Sequence, residues 1–202
     1  MKKIILASNS PRRKQLLENL GVEFEVIPDD TPEPEIFGLS PADTVMQLAK
    51  FKGENVASKI APNDEIIVIS ADTVVAAENK ILGKPRTNEE AALMLKLLSG
   101  SCHSVYTGVC IIESSSKKSV IFYEKTQVYF KSLDINEIKD YINTGEPIDK
   151  AGAYGIQNLG SLFVEKICGD YFNVVGLPLC ALARSMKENF NISFLNQNTK
   201  RK

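Results

Sequence analysis

The densest chemistry stands near the start of the chain, where Ala7-Ser8-Asn9-Ser10-Pro11-Arg12-Arg13 brings two hydroxyls and two guanidiniums together. Ser10-Pro11 reads as an N-cap followed by a first-turn proline. The unpaired backbone N–H groups of a helix start, together with the Arg forks, form a device suited to phosphate. The same pattern also suits an ordinary Ser-Pro helix start with exposed arginines. Asp72 is the stronger feature, because it follows the apolar run Ile66-Ile67-Val68-Ile69 at what reads as the carboxyl end of a buried strand, where α/β sheets place their ligands. An unpaired carboxylate there is costly, so Asp72 needs a cation or a polar partner. It is either a capping or salt-bridged residue, or a metal ligand or base for water activation.

Lys52 falls in the middle of an apolar helical stripe marked by Val45, Leu48, Ala49 and Val56. Its long stem either snorkels to the helix edge or aims an ammonium into a cleft. Lys84, in Leu82-Gly83-Lys84-Pro85, sits between a permissive and a rigid residue, a context that fixes a cation beside a phosphate. In Asp149-Lys150-Ala151-Gly152-Ala153-Tyr154-Gly155-Ile156-Gln157, small residues allow close backbone approach to a ligand. The Gln157 amide offers the donor and acceptor that match a pyrimidine edge, unless the segment is simply a turn with a surface glutamine.

The elements that must position these residues alternate in type. Lys3 to Ala7 is a short buried strand, and a helix runs from Ser10-Pro11 to Gly21 with Leu16, Leu17 and Leu20 inward. Phe24 to Ile27 is a strand, Asp29 to Leu39 a proline-rich loop, and the Lys52 helix follows Ser40-Pro41. Thr87-Asn88-Glu89-Glu90 fits a capping box for a helix through Leu98 that stops at Gly100. Ser104–Ile112 and Val120–Phe130 pair around a polar turn, and Asp134 to Glu137 caps a helix ending near Gly145. Leu162–Ile167 is a strand, Pro178 opens a last helix through about Asn189, and a polar tail covers 191–202. The domain organisation expected is thus one domain over 1–190, or two closely packed lobes, followed by that tail.

Composition narrows the function. The chain has 202 residues with 24 Lys+Arg against 25 Asp+Glu, a formal charge of −1 that gives no bulk attraction to nucleic acid or an anionic membrane. No stretch approaches a membrane span, and the N-terminal apolar run is too short for a signal peptide. His103 is the only histidine, and Cys102, Cys110, Cys168 and Cys180 show no CxxC pairing, so no zinc site or His-based triad assembles from them. Scattered thiols of this kind fit a reducing cytoplasm, where they act as small core hydrophobes. The near-zero charge conceals an asymmetry. Met1 to Lys14 carries five bases and no acid, whereas Gln15 to Ala49 carries eight acids and no base.

Taken in order, the motifs Leu6 to Arg13, Leu48-Ala49-Lys50-Phe51-Lys52, Ser70-Ala71-Asp72-Thr73-Val74-Val75, Leu82-Gly83-Lys84-Pro85, Leu98-Ser99-Gly100, Asp149 to Gln157 and Val175-Gly176-Leu177-Pro178-Leu179 closely resemble the Maf family of nucleoside triphosphate pyrophosphatases, from about Ile4 to Asn189. The resemblance implies an α/β fold of the ITPase-like kind, with a mixed twisted sheet flanked by helices and two lobes around a central cleft. It implies cleavage of a nucleoside triphosphate to the monophosphate and pyrophosphate by water attack at the α-phosphorus, assisted by a divalent cation, Mg²⁺ or Mn²⁺. By residue-to-residue match, Asp72 corresponds to the general base and Glu33 to a polar residue lining the cleft, and the charges make Asp72 and Glu33 the carboxylates expected to hold the metal. Arg12, Thr73 and Gln157 correspond to base-selectivity positions, and Ser8, Arg13, Lys52 and Lys84 to polar positions lining the cleft, where their chemistry suits phosphate binding.

The loop around Glu33 departs from the family pattern, and Asp30 or Glu35 can take the same role; Gly53 stands where alanine is commoner. Ala151 to Gln157 resembles the branch acting on dTTP and UTP rather than the one acting on 7-methyl-GTP. A nucleotide-binding regulator of septum formation without turnover is the competing reading. The resemblance also implies a homodimer.

Overall fold

The computed structural model describes residues 2–61, 65–78 and 80–197. In chain order the elements are β1 (Lys3–Leu6), α1 (Pro11–Asn19), β2 (Glu25–Val26), α2 (Pro41–Ala57), β3 (Ile66–Ala77), β4 (Lys80–Leu82), α3 (Asn88–Leu98), β5 (Cys102–Glu113), β6 (Ser119–Phe130), α4 (Ile135–Asn143), β7 (Val164–Cys168), α5 (Tyr171–Val175), α6 (Leu179–Phe190) and α7 (Phe194–Gln197), with 3₁₀ turns at Glu146–Asp149, Ala151–Ala153 and Leu159–Phe163. The strands form one seven-stranded sheet in the order β2-β1-β3-β5-β6-β7, with β4 pairing β3. β1 runs parallel to β2 and β3, while the β3–β4 and β6–β7 pairs are antiparallel, so the sheet is mixed as expected. No helix among the described residues is long and apolar enough to cross a membrane.

Two compact units divide the chain. The first comprises Met1–Asp72, Thr107–Glu124 and Gly176–Lys202, and the second Thr73–Tyr106 and Lys125–Val175. In the first unit the apolar stripe of α2 covers one sheet face: Ala49 and Val56 pack with Ile5, Ala7, Ile66, Val68, Cys110 and Ile112. The approach is close enough to need glycine. A Cβ on Gly108 of β5 would stand 2.3 Å from the Val45 carbonyl oxygen, and one on Gly53 of α2 would stand 2.7 Å from Ser70 Oγ. Ser70 Oγ donates to the Ala49 carbonyl at 2.6 Å, pinning α2 to β3 one turn before Lys52. The helix starts where the sequence says it should, with Ser40 Oγ accepting from Asp43 N at 3.1 Å and Pro41 in the first turn. Ser40→Ala should therefore cost about 1 kcal/mol, read as a lower urea midpoint with an unchanged m-value.

The second unit packs Ala91, Leu95 and Leu98 of α3 and Ile138, Tyr141 and Ile142 of α4 on Val75, Ala77, Val105, Val128 and Phe130, with Tyr154 and Phe163 inserted between them. α4 carries a complete capping box from Asp134 and Glu137. At α3 the box is half-formed: Thr87 Oγ1 accepts from Glu90 N, but the Glu90 carboxylate accepts from Arg86 N instead of Thr87 N.

Several sequence expectations are corrected. β3 does not stop at Ile69 but continues to Ala77, so Asp72 lies within the strand and not at its end. The continuation exists because β3 exchanges partners: parallel pairing with β1 ends at Leu6↔Ile69, and antiparallel pairing with β4 begins at Val75↔Leu82. The second strand shrinks to Glu25–Val26. The helix opened by Pro178 is not the last, because Phe194 of α7 is buried and anchors a further turn after Asn191 takes a left-handed conformation. The remainder of the expected tail, 198–202, lies outside the described residues. Of the four thiols only Cys110 is buried, whereas Cys102, Cys168 and Cys180 are exposed; burial pushes the Cys110 thiol up to about 12 and leaves it unreactive.

Candidate active site

In the first unit the chain leaves β1 and enters α1 through Ser8-Asn9-Ser10, and this short passage is internally bonded. Ser10 caps α1 by accepting from Arg13 N at 3.4 Å. Ser8 is buried, and its Oγ accepts from Ser10 N at 3.2 Å and from Arg13 Nη1 at 3.2 Å. Arg13 Nε donates to the Gly176 carbonyl at 2.8 Å. The guanidinium is thereby aligned by a hydroxyl on one side and a backbone carbonyl on the other. Burial pulls the Arg13 pKa below its ordinary value, and the charge of Asp72 pushes it back.

Asp72 is 9% exposed and receives the Lys52 ammonium on Oδ1 at 2.5 Å. The same ammonium lies 2.8 Å from Glu33 Oε1. This resolves the two readings of Lys52. Its side chain is 17% exposed against 12% for Asp72 and 55% for Glu33, so the amine points toward a buried carboxylate with an outer one alongside. Burial is the largest influence on Asp72 and raises its pKa; Lys52 and then Arg13 pull it down, and the net shift remains upward. A carboxylate held this way is a better proton acceptor than an exposed aspartate.

Of the acids on the loop between β2 and α2, Glu33 is the one that meets Lys52, while Asp30 accepts from Asn9 Nδ2 at 3.4 Å. The loop is fastened by a residue that the sequence reading passed over. Asp29 accepts from Asn55 of α2 at 3.0 Å and from Thr31 N and Oγ1 at 3.2 and 2.7 Å. Burial acts to raise the Asp29 pKa, but these bonds win and bring it below the ordinary value. The Asp29-Asp30-Thr31 spacing of an Asx turn was the available signal. Gly176 was missed as well. Its segment reads as preparation for α6, yet its carbonyl holds Arg13, and its φ of 122° requires glycine.

The basic run at the N-terminus divides by residue type. Lys2 pairs with Glu113, Lys3 with Glu25 at 2.8 Å and Lys14 with Glu18 at 3.7 Å, whereas Arg13 turns to the site. Arg12 is half-buried on α1. Thr73, Lys84 and Gln157 belong to the second unit: Thr73 is half-buried in β3, Lys84 is exposed in the stretch after β4, and Gln157 is exposed in a turn.

No group of three His, Cys, Asp or Glu among the described residues is arranged to hold a metal. Two carboxylates, Asp72 and Glu33, converge on the Lys52 ammonium. Their oxygens are the hard donors that Mg²⁺ or Mn²⁺ takes, one or two carboxylates being a usual protein share of such a shell, and here both face the Lys52 ammonium.

The geometry therefore brings together a buried carboxylate, an ammonium and, beside the turn from β1 to α1, a guanidinium aligned by Ser8 and Gly176. The family model described as Maf-like protein matches residues 3–189. A dTTP/UTP pyrophosphatase of Carboxydothermus hydrogenoformans is 53% identical over 92% of this chain and 98% of its own length. One of Caldicellulosiruptor bescii is 52% identical over 90% and 92%, and one of Alkaliphilus metalliredigens 48% identical over 96% and 100%. Matches that run almost end to end, through every element that carries Ser8, Arg13, Lys52 and Asp72, place this chain in the Maf-like protein family.

Proposed function

We propose that this chain is a nucleoside triphosphate pyrophosphatase that hydrolyses dTTP and UTP to the nucleoside monophosphate and pyrophosphate. The observation that carries the catalytic part is the buried Asp72 carboxylate, raised in basicity by burial and oriented by Lys52. A protein that only bound nucleotide would have no use for a base whose burial must be offset by two cations. The substrate pair rests on relatives at about half identity that bear the name dTTP/UTP pyrophosphatase.

In the proposed reaction, ionised Asp72 takes a proton from a water that attacks the α-phosphorus. The new P–O bond forms as the bond to the bridging oxygen of the β-phosphate breaks, and pyrophosphate leaves with that oxygen. Lys52 fixes the carboxylate in one orientation, which makes the transfer geometry repeatable. Arg13, aligned by Ser8 and Gly176, neutralises charge on the phosphates, and Lys84 adds a cation for the departing pyrophosphate. Ser8 and the opening N–H groups of α1 bind phosphate oxygens. Arg12, Thr73 and Gln157 read the base, with the Gln157 amide matching the carbonyl and N–H of a uracil or thymine edge. Asp72 and Glu33 would hold the divalent cation, which when bound supplies Lewis-acid neutralisation of the phosphate oxygens. Phosphoryl chemistry of this kind needs positioning and charge more than covalent help, so a site without histidine or cysteine suffices.

The test is pyrophosphate release from UTP, dTTP, CTP, GTP, 7-methyl-GTP and ATP, with and without Mg²⁺. UTP and dTTP should exceed the others in kcat/KM by roughly tenfold or more. A preference for 7-methyl-GTP would overturn the substrate assignment, and turnover of none of them would favour the nucleotide-binding regulator.

A further inference from the structure

In the second unit the carboxylate of Glu146 is bonded on both oxygens to the segment that carries Gln157. Its Oε2 accepts from Leu159 N at 3.2 Å, and its Oε1 accepts from Gly160 N at 3.3 Å and from the Tyr141 hydroxyl at 2.9 Å. The Tyr141 oxygen in turn accepts from Gly155 N at 3.3 Å. Burial, then the bond to Glu146, pushes the Tyr141 phenol up, which keeps it protonated and able to donate. One side chain thus reaches both ends of the 155–160 loop: the near end through Tyr141, the far end directly.

The ends are drawn close together. A Cβ on Gly160 would stand 2.7 Å from both the Gly155 carbonyl oxygen and the Tyr141 hydroxyl, so the closure tolerates only glycine there. Gln157 is exposed between these ends. The segment is also fastened before the loop: the Lys150 ammonium donates to the Glu146 carbonyl at 2.7 Å, and Gly152 N donates to the Gly83 carbonyl at 3.0 Å. The second bond ties the turn that carries Lys84 to the same knot.

We infer that Glu146 is a positioning residue for specificity, closing the 155–160 loop from both sides so that Gln157 meets the pyrimidine edge in one orientation. This rests on the proposed function, because it takes Gln157 as the base-reading residue. A glutamine on an exposed loop discriminates between bases only if its amide is held in place, since a freely rotating amide satisfies either hydrogen-bond pattern. Glu146 touches no reacting atom in this scheme, so its removal should affect base discrimination more than turnover.

The test uses the full chain carrying Glu146→Ala or Glu146→Gln, with kcat and KM measured for UTP, dTTP, CTP and ATP, and amide hydrogen exchange followed over 155–160. For Glu146→Ala, KM for UTP should rise roughly tenfold with kcat within about twofold, and the preference for UTP over CTP should fall by a similar factor. Exchange at Leu159 and Gly160 should rise with it. Glu146→Gln keeps one carbonyl acceptor, so its loss of preference should be roughly threefold; it serves as the test if the alanine variant does not fold. A variant that loses activity equally on all four nucleotides, or melts earlier with its preference intact, overturns the inference and leaves the pyrophosphatase reading standing. Wild-type protein that releases no pyrophosphate from UTP or dTTP overturns that reading, and the assignment of Glu146 with it.

Discussion

Asp72→Asn should lower kcat for pyrophosphate release from UTP by about 10²–10⁴-fold while leaving the fold intact. Asparagine preserves the shape of the side chain and an oxygen for the Lys52 ammonium, and Lys52 retains Glu33 at 2.8 Å, so no buried cation loses all its partners. What disappears is the ability to accept a proton, and no histidine stands in reserve: His103 is the only one in the sequence and belongs to the core of the second unit. KM should change much less than kcat, because in the proposed reaction phosphate binding falls to Ser8, Arg13 and Lys84. Circular dichroism and a urea transition separate loss of chemistry from loss of structure. An Asp72→Asn protein that folds normally and turns over within tenfold of wild type would remove Asp72 from the mechanism.

The sequence exposed much of this site because the residues involved break local rules. A lysine in an apolar helical stripe and an aspartate after four buried aliphatics are each costly alone, and the cost requires a partner. That each is the other's partner follows from α2 lying across β3, a tertiary contact with no local signature. The strand beyond Ile69 was illegible for the same reason: Ser70-Ala71-Asp72-Thr73 looks like a strand ending, and only the partner exchange from β1 to β4 keeps it extended. The selection of Glu33 over Asp30 and Glu35 depends on the path of a proline-rich loop, which Asp29 fixes through Asn55 of α2. The Gly176 carbonyl could not have been read at all, since a backbone acceptor has no residue type to announce it. Helix starts, by contrast, were written into adjacent residues, and Ser10-Pro11, Ser40-Pro41 and Asp134-Glu137 all sit where they were expected.

The second large effect concerns stability and arises from that one histidine. His103 is buried in the second unit between Phe130 and Tyr154, both edge-on to its ring, and its Nε2 lies 2.8 Å from the Tyr154 hydroxyl. Nδ1 has no hydrogen-bond partner among the described residues. An imidazolium needs acceptors at both nitrogens, so the charged form is disfavoured twice: by burial and by the missing acceptor. Burial lowers the pKa from 6.5 to about 4. The folded value thus lies below the unfolded one, and the contribution to stability is fully present above pH 6.5 and is lost as pH falls toward 4, because only the unfolded chain takes up the proton in that interval. At about 1.4 kcal/mol per pH unit, the whole loss is roughly 3 kcal/mol, a large share of the stability of a domain this size.

No second histidine blurs the interval, and the opposing effect of Asp72, whose raised pKa favours folding as it protonates, is common to both proteins if wild type is compared with a substituted chain. His103→Gln retains a polar group for Tyr154 but cannot titrate. Chemical denaturation at half-unit steps from pH 7.5 to 4.5 should show wild-type stability falling toward acid, while His103→Gln follows a shallower line; the two curves should converge on acidification. Parallel curves would mean that His103 is protonated in the folded protein, with an acceptor at Nδ1 that this arrangement of Phe130 and Tyr154 does not provide.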